Sequence, residues 1–153
     1  MEDIKQVLVV SRSTEDCKKA FHYGVSLVKN YGAHLSILHI DYEPLVHWGG
    51  FGVSRLIDWE NEYRAMRKKA RSDMVEMIQK EKARGLKIKE LVKDGESVQE
   101  VMKVVAAKRI DLVIMAAHDE GRIEHLIYGR ANHEIVRRMP CSIFLVKGES
   151  GKE

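Results

Sequence analysis

The sequence predicts an α/β fold, a doubly wound five-stranded parallel sheet with helices on both faces. Three observations carry that prediction. Two short runs, Val7–Val10 and Leu112–Met115, are wholly apolar, as central strands covered on both faces must be. Apolar stretches alternate with segments of helical periodicity, giving β-α-β-α-β-α-β-α-β. The stretch Leu112–Val146 reads strand, loop, helix, strand, so a loop leaves the carboxyl end of a central strand. In open α/β sheets that end is where ligands bind.

Composition sets the class. A chain of 153 residues, 44% apolar and 32% charged, is long enough for one domain with a full core. Residues 1–148 form that domain, and the polar residues 149–153 are expected to be a loose tail. A net charge of +3 is too small to indicate nucleic acid. Cys17 and Cys141 cannot build a disulfide scaffold, and each reads as a small buried hydrophobe. No apolar run approaches the roughly 20 residues of a membrane span. Glu2 and Asp3 followed by a strand do not make a signal peptide. A cytoplasmic location, away from membranes and nucleic acid, is the expectation.

The first strand, Gln6–Ser11, runs into Ser11-Arg12-Ser13-Thr14. Ser13 or Thr14 can cap the next helix, and Glu15 and Asp16 suit its positive end. Cys17, Ala20, Phe21, Gly24, Val25, Val28 and Tyr31 fall on one helical face, and Gly32 stops the helix. Leu35–Ile40 is the second strand, closing a right-handed βαβ unit. Asp41–Asp58 breaks the pattern, and its glycines and the aromatics Trp48 and Phe51 make a loop. His47, Trp48 and Phe51 are its candidate contacts for a protein partner. Trp59–Arg84 is a long helix with an apolar stripe of Tyr63, Met66, Ala70, Met74, Met77 and Ile78. Its basic residues are interleaved with acidic ones, which reads as a solvated face.

Lys87–Lys93 is polar enough for an edge strand. Asp94-Gly95 turns the chain, and Ser97 with Glu100 forms a capping box for a helix to about Lys108. Leu112–Ala116 is the fourth strand. A short helix runs to Met139 and is stopped by Pro140, and Ser142–Val146 is the fifth strand.

The element order, Met115-Ala116-Ala117-His118 followed by Gly129, Glu134-Ile135-Val136 in the last helix, and the strand Pro140-Cys141-Ser142-Ile143-Phe144-Leu145-Val146 together resemble the universal stress protein family. The resemblance covers nearly the whole chain. It implies a sheet ordered 3-2-1-4-5 and a homodimer, formed through Ser142, Ile143, Phe144, Leu145 and Val146 at the sheet edge. Some members bind ATP through a glycine, two residues, a glycine, nine residues, and a glycine followed by serine or threonine. Glycines let backbone N–H groups approach phosphates closely.

Here the matching positions are Ala116, Asp119, Gly129 and Arg130, so only one glycine survives. ATP-binding members also carry an aspartate just after the first strand; the match is Arg12. Ile40 keeps the apolar character implied beside an adenine. A carboxylate about 4 Å from a phosphate charge costs about 4 kcal/mol at an effective dielectric near 20, close to a thousandfold in affinity. Arg12, Arg122 and Arg130 can offset this if they point inward, and a register using Gly121 in place of Asp119 would shorten the spacing to Gly129. The implied crevice is lined by Ser11, Arg12, Ile40, Ala116, His118, Asp119, Gly129 and Arg130. Weak or no ATP and magnesium binding is expected.

Other chemistries fall away. The chain has no GxxxxGK[ST] and no GxGxxG. His118, His125 and His133 match no common zinc spacing, so no metal is expected. Ser11, Ser13, His39 and Asp41 lie near strand ends, but no GxSxG elbow accompanies them. A non-enzymatic stress-response dimer is the expected function. The alternative is an ATP-binding switch or slow ATPase with a rearranged phosphate loop.

Overall fold

The computed structural model describes the backbone of residues 3–41, 53–117 and 123–148, and the side chains of the same residues other than 53–60, 63 and 123–130. Among the described residues the order is β1 (Gln6–Ser11), α1 (Asp16–Tyr31), β2 (His34–Ile40), α2 (Val53–Ala83), β3 (Ile88–Lys93), α3 (Ser97–Lys108), β4 (Leu112–Ala117), α4 (Ile123–Arg138) and β5 (Ser142–Lys147). The strands form one parallel sheet in the order β3-β2-β1-β4-β5. Every strand lies within a residue of its expected bounds.

Alternation along the strands sorts the core into two layers. Val7, Val9, Leu35, Ile37, Leu112 and Ile114 pack against Phe21 and Val25 of α1 and Met74 and Ile78 of α2. Leu8, Val10, Leu38, Ile40, Val113 and Met115 pack against Val98 and Val101 of α3 and Ile135 of α4. The closest helix approach is at Gly24, where a Cβ would lie 2.6 Å from Val9 Cγ2. Gly32 takes φ +65° as the left-handed cap of α1, a conformation that suits glycine.

Several local expectations give way. Neither Ser13 nor Thr14 caps α1; its N-cap is Glu15, without a side-chain hydrogen bond. Thr14 Oγ1 instead lies 3.1 Å from Cys17 Sγ. Ser97 is not the cap of α3 but its first residue, with Glu96 preceding it, and its hydroxyl is used elsewhere. Tyr31 and Met66, assigned to apolar stripes, are 60% and 58% exposed. Cys17 is buried, but Cys141 is only half-buried, and burial raises its thiol pKa. The last helix ends at Arg138, and Met139 turns out of it with φ +44°.

α2 begins at Val53, inside the stretch expected to be loop. Its 31 residues span about 46 Å, against about 20 Å for a six-residue strand. It packs on the sheet layer through Met74 and Ile78, with Ala70 also buried, all in its carboxyl-terminal half. Ion pairs hold the seated half: Lys18 Nζ to Asp73 at 2.6 Å, Lys29 to Glu81 at 2.9 Å, Lys82 to Glu90 at 2.7 Å, and Arg71 to Asp41.

His39 is buried beneath this helix, its Nε2 3.3 Å from Glu90 Oε1. Burial holds the imidazole below its usual pKa, and Arg71 pushes the same way, against the opposing pull of Glu90. The folded protein therefore takes up this proton less readily than the unfolded chain, whose value is near 6.5. The resulting stability is complete above pH 6.5 and is lost as the pH falls through 6.5 towards the folded value. In urea titrations between about pH 7.5 and about pH 5, His39→Gln is expected to show a shallower loss of stability than the unmodified protein. Parallel curves would show that His39 does not carry the effect.

Gly24→Ala forces a methyl group onto the stiff side chain of Val9. Overpacking costs about 1–3 kcal/mol, and the gain in helix propensity offsets about 1 kcal/mol. The expected outcome is a lower urea midpoint with an unchanged slope, and a midpoint at or above the original would refute the close packing.

Candidate functional site

The strand order places a topological switch point between β1 and β4, whose following helices lie on opposite faces. The two strands pair only from Val7↔Leu112 to Val9↔Ile114. Beyond that β1 stays paired with β2 as far as Ser11↔His39, and β4 with β5 as far as Ala117↔Lys147. β1 and β4 therefore part at their carboxyl ends, and the gap lies where the sequence places the crevice.

Among the expected lining residues, alternation separates the side chains. Ala116 faces the α1 and α2 layer, and Ser11, in line with Val7 and Val9, points the same way. Arg12 and Ile40 face the α3 and α4 layer. Ile40 is 1% exposed and part of the core. His39 and Asp41, considered with Ser11 for hydrolytic chemistry, are engaged with Glu90 and Arg71.

Arg12 is the centre of the gap. It follows the last residue of β1 and is 2% exposed. Its Nε donates to Ser97 Oγ of α3 at 3.3 Å, and its Nη1 donates to Asn132 Oδ1 of α4. Asn132 Nδ2 donates to the carbonyl of Ala116 at 2.9 Å. A guanidinium only donates and a carbonyl only accepts, so the two ends of the Asn132 carboxamide have fixed roles. One carboxamide thus bridges the ends of β1 and β4, and Arg12 adds α3 to the bridge. The turn behind Arg12 is itself held: its backbone N–H donates to Cys17 Sγ at 3.4 Å, and Ser13 takes φ +58°.

The other side of the gap departs from the expected phosphate loop. α4 begins at Ile123, so Gly129 and Arg130 lie in its second turn and not at a loop-to-helix junction. Only the first four N–H groups of a helix are free of intrahelical bonds. The N–H groups of Gly129 and Arg130 lie beyond these and are committed to the helix. His118 and Asp119 lie outside the described residues, as do His47, Trp48 and Phe51.

Two residues of the bridge, Ser97 and Asn132, were not anticipated from the sequence. Asn132 had a usable signal: it stands three residues before Ile135, on the inward stripe of α4, where a polar side chain needs a partner. Ser97 looks like an ordinary cap residue. Elsewhere on α4, Arg137 and then Arg138 hold the Glu134 carboxyl down to about 2, so this basic pair is already engaged. No group of three or more His, Cys, Asp or Glu among the described residues could hold a metal ion. No helix among the described residues is long and apolar enough to cross a membrane.

Residues 3–147 match the model of the universal stress protein family. The chain is 21% identical over 146 residues to Universal stress protein YxiE of Bacillus subtilis, covering 93% of this chain and 98% of that protein. Its structure is similar to that of universal stress protein UspA from Lactobacillus plantarum, with a TM-score of 0.67, 16% identity, and coverage of 95% of this chain and 99% of the other. It is also similar to a universal stress protein family member from Arabidopsis thaliana with AMP bound, with a TM-score of 0.59, 16% identity, and coverage of 95% and 93%. At these identities the structural likeness establishes the fold.

Proposed function

The chain belongs to the universal stress protein family, and from that membership we propose that it is a non-enzymatic homodimer acting in stress response or regulation, with an ATP affinity that is weak or absent. The observation that carries this reading is the buried Arg12 guanidinium in the gap between β1 and β4, bonded to α3 and α4. A nucleoside placed at the end of β1 would have to displace it. The committed N–H groups of Gly129 and Arg130 add to the case, since they cannot cradle phosphate. In sequence, Asp119 adds a carboxylate where the ATP-binding members have a glycine. The buried Arg12 side chain does not fit a nucleoside held at the end of β1 in the manner of the ATP-binding members.

A second reading, a nucleotide switch or slow ATPase, is favoured by the relative with AMP bound. Titration calorimetry with ATP and magnesium at physiological salt separates the two. Binding absent or weaker than about 100 μM is expected, and Asp119→Gly/Arg130→Ser is expected to gain less than tenfold, because Arg12 still fills the gap and the N–H groups of residues 129 and 130 stay in α4. Low-micromolar binding by the unmodified protein would promote the switch.

The dimer is assigned to β5. Phe144 and Leu145 on this edge strand are 38% and 44% exposed, and Phe144 stacks edge-on against Tyr23 of α1 at 5.6 Å. An apolar uncovered edge is a template for pairing, and twofold pairs are the commonest assemblies. His47, Trp48 and Phe51 remain the proposed contacts for a further protein partner, and the proposed location is the cytoplasm. Light scattering should give about twice the 17.6 kDa chain mass, and Phe144→Lys should shift it towards monomer. A folded Phe144→Lys variant that stays dimeric would place the interface elsewhere.

A further inference from the structure

We propose that Arg12 and Asn132 form a self-occluding lock on the crevice between β1 and β4, with Asn132 as the latch that keeps the guanidinium inside. This inference rests on the closed-crevice reading above and adds the device that closes it. The parting of β1 and β4 beyond Val9 and Ile114 opens room at the switch point. That room is filled by a side chain of the same chain and not by a neighbouring core residue. Arg12 reaches it from the end of β1, and two contacts on different helices fix its direction.

The latch role follows from the chemistry of Asn132. Its Oδ1 takes Arg12 Nη1 only while its Nδ2 stays on the Ala116 carbonyl, because rotating the amide would set donor against donor and acceptor against acceptor. The position of α4 on β4 and the position of Arg12 are therefore one choice. Leaving either bond unmade inside the protein strands a buried polar group, so both bonds favour the shut bridge, and the one to Arg12 holds the guanidinium directly. Ser97 steadies the guanidinium from α3, whereas Asn132 also holds β4 through Ala116.

Adenosine is the probe, because without phosphates it reports the lock and is indifferent to Asp119. Calorimetric titrations with adenosine are run on the unmodified protein, Arg12→Ala, Asn132→Ala and Asn132→Asp, each checked for cooperative melting. Arg12→Ala and Asn132→Ala are expected to bind adenosine at least tenfold more tightly than the unmodified protein. Asn132→Asp is expected to stay closed: its carboxylate grips Arg12 by a charge-assisted bond even as it loses the bond to Ala116. A structural tether from α4 to β4 would make Asn132→Asp open like Asn132→Ala, and that outcome overturns the latch. Folded Arg12→Ala with unchanged adenosine affinity overturns the lock while leaving weak ATP binding in place. Tight ATP binding by the unmodified protein overturns the reading beneath it instead. Should the alanine variants fail to fold, the arginine Nε–H signals of the nitrogen-15-labelled native protein decide. A resolved, exchange-protected Arg12 signal is expected, and an exchange-averaged one rejects the lock.

Discussion

A parallel sheet covered on both faces leaves its polar chemistry few places to go. In this chain β1, β2 and β4 carry apolar side chains to both layers, and each layer is sealed by two helices. Backbone polar groups are consumed by the ladders, so polar side chains gather at the strand ends. At the amino ends the task is simple closure: Asp111 Oδ2 accepts the N–H groups of Lys5 and Gln6 at 2.8 Å each, tying the entry to β1 to the start of β4. At the carboxyl ends the strands part and something must fill the space. The chain fills it with Arg12.

That choice converts a general property of the fold into a particular one. The switch point of a doubly wound sheet is ordinarily open to a ligand. A buried guanidinium is expensive to desolvate and persists only where its hydrogen bonds are well placed. Ser97 and Asn132 supply such bonds from two separate helices, so the packing of α3 and α4 and the state of the crevice are one problem. Weakening either helix contact disturbs the crevice, and emptying the crevice loosens the helices.

The fold was legible because it rests on periodicity. Val7–Val10 and Leu112–Met115 read as covered strands, being short apolar runs in an alternating strand–helix pattern, and glycine and proline marked most of the breaks. Local hydroxyl chemistry was less legible, because capping is a competition. Ser97 has the right type and spacing for a capping box, but Arg12, distant in sequence, takes its oxygen. The start of α2 at Val53 was hidden because the glycines at 49, 50 and 52 made the whole stretch to Asp58 read as loop. The crevice was legible in location, from Arg12 and Ala116, but not in its contents. No sequence pattern says that an arginine will turn inward, and Asn132 becomes informative only once it is seen on the inward stripe of α4.

The two sheet edges complete the argument, because they are unequal. β3 carries Lys89, Glu90 and Lys93, with Lys82 reaching across to Glu90. Charges of this kind obstruct pairing with another strand. β5 presents Phe144 and Leu145 to solvent, with Lys147 only at its end. A sheet with two apolar edges would add copy to copy without limit. Under the proposed pairing through β5, one apolar edge and one guarded edge suit a single closed twofold contact. The adhesive edge is also the neighbour of the crevice: Val146 pairs with Ala116, the residue whose carbonyl Asn132 holds. The proposed association surface on β5 and the gap filled by Arg12 thus both border one strand, β4, at Ala116.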